Sequence, residues 1–126
     1  MSFKYTELQR AWLDDLKKTR AKQGTGRLHR KDGWCCLGRA CKVMGVKEVR
    51  GEFSSKFDGV DTVMSIANGE RMGLRSGAGD ARLQFRIDGG RELGRLWEAN
   101  DDYYTFKQIA AAIEADPENF FTEGAA

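Results

Sequence analysis

Several residue types are scarce in this chain, and each scarcity excludes something. Of 126 residues, one is proline, one is histidine and three are cysteine. The odd cysteine count, with Cys35 and Cys36 adjacent, argues against a disulfide framework and makes the cytoplasm the expected compartment. Apolar runs are only a few residues long, so no segment reads as a transmembrane helix and no membrane partner is expected. The N-terminal residues lead straight into an amphipathic pattern and lack the apolar stretch of a secretory signal. With a single histidine, His29, little imidazole is left to join the cysteines in a metal site.

Charge and glycine are plentiful. Charged residues make up 32% and hydrophobic residues 40%, the balance of a folded globular chain and not of a disordered one. The length suits one domain over residues 1–126, large enough to bury a core without metal or disulfide staples. The net charge of +2 conceals an asymmetry. Residues 1–50 carry 13 Lys/Arg against 5 Asp/Glu, whereas residues 51–126 carry 8 against 14. Such a split suits an anionic partner for the first part, two halves facing each other electrostatically, or simply solvated faces.

Periodicity predicts an α+β fold, predominantly helical, with about four helices and a small antiparallel sheet in the middle. Thr6-Glu7-Leu8-Gln9 has capping-box form, and Leu8, Trp12 and Leu16 follow at intervals of four, giving a helix from about Glu7 to Ala21. Gly24 and Gly26 interrupt the pattern. Asp32 is then the expected cap of a second helix, from about Gly33 to Met44, with Trp34, Leu37, Ala40, Cys41 and Met44 on one face and Arg39 and Lys42 pointing elsewhere. Residues 46–90 read poorly. Asp61 to Ala67 fits either a short helix ending at Asn68-Gly69 or one arm of a hairpin turning there. Gly73, Gly77 and Gly79 suggest a flexible loop, and Ala81 to Ile87 alternates as a half-buried strand with Leu83, Phe85 and Ile87 on one side. A helix is expected from Arg91 to Asn100. Thr105-Phe106-Lys107-Gln108 opens a last one, ended by Pro117 or followed there by a short turn toward Phe120-Phe121.

The chemistry-bearing residues concentrate between Lys22 and Cys41. Zinc needs ligands that converge tetrahedrally, but Cys35 and Cys36 diverge on a helix and His29 is the one further candidate, so no metal is expected. A nucleophilic cysteine in the first helical turn would gain from the dipole and from Arg30 and Lys31, with His29 as base. No oxyanion device or orienting third group accompanies it, and no catalytic activity is expected. Burial as small hydrophobes is the simpler role for the three thiols. Anion binding uses more of the residues present. Glycine lets the backbone amides of Gly24-Thr25-Gly26 approach a phosphate, and the second helix offers amides at its start. Lys22, Arg27, His29, Arg30, Lys31 and Arg39 supply charge and donors, and Trp34 could stack a base if it is not core. The loop is not a P-loop, because it lacks the Gly-Lys-Ser/Thr ending and follows a helix.

The run Cys35-Cys36-Leu37-Gly38-Arg39-Ala40-Cys41, preceded by the basic glycine loop Lys22-Gln23-Gly24-Thr25-Gly26-Arg27-Leu28, resembles a group of small uncharacterised proteins of tailed bacteriophages and prophages. Leu93 through Asn100-Asp101, then Phe106-Lys107-Gln108-Ile109-Ala110 and Ile113-Glu114, match the end of that pattern. The chain departs from it by extra residues before Asn100-Asp101 and by a more polar middle. The resemblance implies a phage or mobile-element origin and a site in the host cytoplasm, and carries no activity with it. By association it makes the expected function a non-catalytic binder that sequesters a nucleotide or other phosphorylated small molecule, with no cofactor, to inhibit anti-phage defence. The alternatives are a nucleic-acid-binding accessory protein, although no recognition helix or aromatic strand of the usual kind appears, and a protein–protein inhibitor of a host enzyme. A homo-oligomer is compatible with the size, though no heptad or apolar stripe demands one.

Overall fold

The computed structural model describes residues 3–122, 124 and 125. Helices α1 (Glu7–Lys18), α2 (Cys36–Val43), α3 (Ile66–Met72), α4 (Leu96–Asp101) and α5 (Phe106–Ala115) are interspersed with six short strands. These are β1 (His29–Arg30), β2 (Gly33–Trp34), β3 (Glu48–Arg50), β4 (Ser55–Phe57), β5 (Asp80–Phe85) and β6 (Leu93–Arg95). The class is α+β. The strands pair as three separate antiparallel couples, β1–β2, β3–β4 and β5–β6, where one sheet is expected from the sequence. An antiparallel bridge from Arg30 to Ser54 sets the first two couples edge to edge.

Both capping boxes form. The Thr6 hydroxyl accepts from the Gln9 amide while the Gln9 side chain accepts from the Thr6 amide, and Thr105 and Gln108 repeat the exchange at α5. α1 stops at Lys18, short of the expected Ala21, because Thr19 is extended and its hydroxyl accepts from the Ala21 amide. α1 packs on α2 and α5 through Trp12, Leu13 and Leu16. Each such burial stabilises by roughly 1.5–3 kcal/mol. The polar groups on this face are matched. The Trp12 indole donates to the Cys36 carbonyl at 2.9 Å, and the buried Gln9 amide donates to the Met72 carbonyl at 3.0 Å.

α2 differs from its expected form at its start. It begins at Cys36 with Cys35 as cap, the sulfur accepting from the Gly38 amide at 3.3 Å, and Asp32 caps nothing. Gly33 and Trp34 are extended because Lys22–Gly24 runs alongside them. The Trp34 amide donates to Lys22 and the Gly24 amide donates to Trp34, each at 2.8 Å. Gly33 has φ +151°, and a Cβ there would lie 2.6 Å from the Gly24 nitrogen, so only glycine permits the contact. Gly38 serves a similar purpose inside α2, where a Cβ would lie 1.9 Å from the Leu28 carbonyl oxygen. Cys35, Cys36, Leu37, Ala40 and Cys41 are all buried, so the cysteine run forms the spine of the core.

Further along, α3 is capped by Ser65 and contains Asn68-Gly69 in place of ending there, because Gly69 seats its backbone against Ser76-Gly77. β5 covers most of the expected strand, but Leu83 is exposed and Ile87 is buried beyond the strand's end. The Asn119 side chain holds Leu83 from both sides, accepting from its amide and donating to its carbonyl. The expected helix from Arg91 divides into β6, which pairs with β5, and α4. Pro117 opens a single 3-10 turn, Pro117–Asn119, that delivers Phe120 and Phe121 to the core. Among the described residues no helix is long and apolar enough to cross a membrane.

Candidate functional site

The site is assembled around one buried side chain. Asn100, fully buried at the end of α4, accepts at Oδ1 from the Gln23 side chain (2.9 Å) and from the Cys36 amide (3.0 Å). Its Nδ2 donates to the Gly24 carbonyl at 2.8 Å. Gln23 in turn donates to the Tyr104 carbonyl and accepts from the Phe106 amide. This knot joins the glycine loop, the start of α2 and the α4–α5 junction. It therefore brings together residues 22–28, 35–41 and 93–106, which are far apart in the sequence. Removing a buried, multiply bonded amide strands all its partners, at a cost of about 1–3 kcal/mol for each group left unpaired.

Next to the knot lies an apolar cleft of about 310 Å³, lined by Gly26, Arg27, Cys35, Thr62, Val63, Trp97 and Asp101. The Asp101 carboxylate is fixed there, with Oδ1 accepting from the Gly26 amide at 3.1 Å. Arg27 lies at the cleft beside Asp61, 3.7 Å away. On the far side of Gly26 and Arg27 a wider, polar groove of about 870 Å³ is lined by Arg30, Lys31, Asp32, Glu52 and Phe53. Phe53, at the tip of the β3–β4 hairpin, is 80% exposed. A third depression, bounded by Lys22, Gln23, Gly24, Thr25, Asp32, Asn100 and Tyr103, completes the ring around the loop.

The residues singled out from sequence have divided fates. Arg27, Arg30, Lys31 and Lys22 are exposed on this loop and its depressions. The amide cradle expected at Gly24-Thr25-Gly26 is not available as such, since the Gly24 amide is engaged by Trp34 and the Gly26 amide by Asp101. The start of α2 is equally engaged, with the Cys36 amide on Asn100 and the Gly38 amide on the Cys35 sulfur. Trp34 does not offer a free face for a base. The His29 ring stacks on it at 3.6 Å between centroids, and the Arg39 guanidinium lies 4.9 Å from its centroid. Arg39 is itself locked to both Asp15 oxygens at 2.7 and 2.9 Å, half-buried between α2 and α1. His29 Nδ1 meets the Glu48 carboxylate, which also accepts from the Ser55 hydroxyl. Burial works to raise the Glu48 pKa, but the hydrogen bonds from Ser55 and His29 outweigh it and hold the carboxyl below the ordinary glutamate value. His29, Trp34 and Arg39 are thus structural supports of the loop. Asn100 stands at the end of the helix expected from Arg91 and Asp101 just beyond it, so their local pattern reads as a helix stop and gives no signal of a larger part. Thr62 and Val63 fall in the stretch whose pattern is mute.

The thiols are held protonated. Burial, only partly offset by hydrogen bonds from Gly38 and Leu37, pushes Cys35 up to about 12, and burial pushes Cys41 to about 12 as well. Burial also raises Cys36 well above the ordinary cysteine value. The depression expected from the helix dipole and nearby cations is thus outweighed by desolvation. Among the described residues no three His, Cys, Asp or Glu side chains come together as a metal would require. Comparison with known proteins finds no family model, no curated protein and no solved structure that matches this chain.

Proposed function

We propose that the protein binds a nucleotide-like anion without transforming it, and that it acts as a phage-type sequestering protein against a signal used in bacterial anti-phage defence. The observation that carries this reading is the meeting at Arg27 of an apolar cleft and a polar groove in which Arg27, Arg30 and Lys31 outnumber Asp32 and Glu52. A flat ring suits the apolar cleft that Trp97 and Val63 help to line, and phosphates suit Arg27, Arg30 and Lys31, whose donors match phosphate oxygens. The protonated thiols, and a histidine held by Glu48 and stacked on Trp34, favour binding over catalysis. The resemblance to phage proteins supplies the sequestering role by association.

A thermal-shift panel of mono-, cyclic di- and cyclic trinucleotides and ADP-ribose derivatives tests the reading. One class should stabilise the fold, by about 2.7 kcal/mol at a hundredfold excess over Kd, and should be recovered intact by mass spectrometry after heat release. A flat panel defeats it. Phe53 favours a second reading. An aromatic side chain 80% exposed beside Arg30 and Lys31 is the form of a stacking platform for single-stranded nucleic acid. That reading requires retardation of a single-stranded oligonucleotide that weakens steeply with salt.

A further inference from the structure

We infer that the Trp97 cleft reads the edge of a guanine-type base through Asp101. This rests on the nucleotide reading and names the class of base that the same site accepts.

Among the residues lining the mainly apolar cleft, Asp101 is the acidic one, and Arg27 and Thr62 are its other polar side chains. Its carboxylate is set in place, with Oδ1 accepting from the Gly26 amide at 3.1 Å and lying 3.5 Å from the Asn100 Nδ2. Asn100 is itself fixed by the buried knot. Among the described residues no group donates to the other oxygen, Oδ2. An ionised carboxylate only accepts, so a ring that enters this cleft has to bring donors to it. Of the common bases only guanine carries a ring N–H directly beside an exocyclic amino group, two parallel donors that suit one carboxylate. Adenine and cytosine place a ring acceptor beside their amino group, and uracil flanks its ring N–H with carbonyls. Each of those puts a lone pair against the carboxylate.

The same charge fixes which way the ligand lies. Asp101 repels a phosphate from the cleft, while Arg27, which lines both depressions, and Arg30 and Lys31, which line the groove with Asp32 and Glu52, give the groove three cations against two carboxylates. The base therefore enters the cleft and the phosphate stays in the groove. A volume of about 310 Å³ takes one base and part of its sugar, and additional nucleotides would have to lie outside in the groove.

Isothermal titration with the 5′-monophosphates of guanosine, inosine, xanthosine and adenosine tests the assignment. The wild type should bind the guanosine form at least tenfold tighter than the inosine form, which lacks the 2-amino donor, and than the adenosine form. Asp101→Asn keeps an acceptor for the Gly26 amide and adds a donor. It should turn the preference toward xanthosine monophosphate, whose C2 carbonyl accepts, and a gained affinity cannot come from a misfolded variant. Equal affinity of the wild type for all four, or an unchanged guanosine-to-xanthosine ratio in Asp101→Asn, overturns base reading by Asp101 and leaves the nucleotide site itself standing. No binding of any of the four, together with a flat thermal-shift panel, overturns both.

Discussion

At the scale of single residues, the thiols of Cys35, Cys36 and Cys41 have the sharpest consequence. Desolvation raises all three, to about 12 for Cys35 and Cys41, so at pH 8 almost no thiolate is present in the folded protein. Native protein should therefore show no fast reaction with an aromatic disulfide reagent at pH 8, and three reactive thiols once denaturant unfolds it. Raising the pH to 9.5 should leave native reactivity low, since that is still below the folded values. A thiol that reacts within seconds in the native state would contradict the burial. The core role of the cysteine run was legible from the sequence, because burial of small apolar residues is a local tendency. The partners of Trp34 and Arg39 were not legible. Arg39 is locked by Asp15 on α1, and Trp34 is covered by a histidine that Glu48 of β3 holds in turn, and no spacing rule links these positions.

At the scale of elements, α4 ends in a way that invites substitution. Tyr103 adopts φ +68° just past the cap Asp102, with its amide donating to the Asn100 carbonyl at 3.1 Å. This is the left-handed position that glycine normally fills. Tyr103 is 83% exposed, so core burial offers little to offset the strain. Tyr103→Gly should stabilise the protein by about 0.5–1 kcal/mol after the entropy gained by the unfolded chain is counted. A fall in stability on chemical denaturation would show that the ring makes compensating contacts with the depression it borders, alongside Lys22 and Asp32. Elements written in local chemistry were legible, above all the two capping boxes and the turn at Pro117. The two-residue strands β1 and β2 were not, because the Lys22–Gly24 segment that pairs with Trp34 dictates them from outside. Gly33 looked like a helix residue only while that neighbour was unknown.

At the scale of the whole molecule, few ion pairs among the described residues join the basic first part to the acidic remainder. Lys17 pairs with Glu114 at 3.0 Å and Arg27 lies 3.7 Å from Asp61, both on the surface, where such pairs contribute about 0–1 kcal/mol. Other pairs, such as Arg39 with Asp15 and Arg95 with Asp80, stay within one half. Attraction between the halves therefore does little to hold the fold, and the exposed cations at Arg27, Arg30 and Lys31 are left to solvent or to the anion proposed above. Arg30 lies 3.4 Å from Asp32, an exposed pair that a phosphate would displace at small cost. The most direct measurement takes the nucleotide giving the largest thermal shift and titrates it calorimetrically into wild type and the double variant Arg27→Glu/Arg30→Glu. Both side chains are exposed, so the variant should melt within about 2 °C of wild type, as surface changes of roughly 0.5 kcal/mol imply. Its affinity should fall at least a hundredfold. A variant that binds as tightly as wild type would contradict the placement of the site at Arg27.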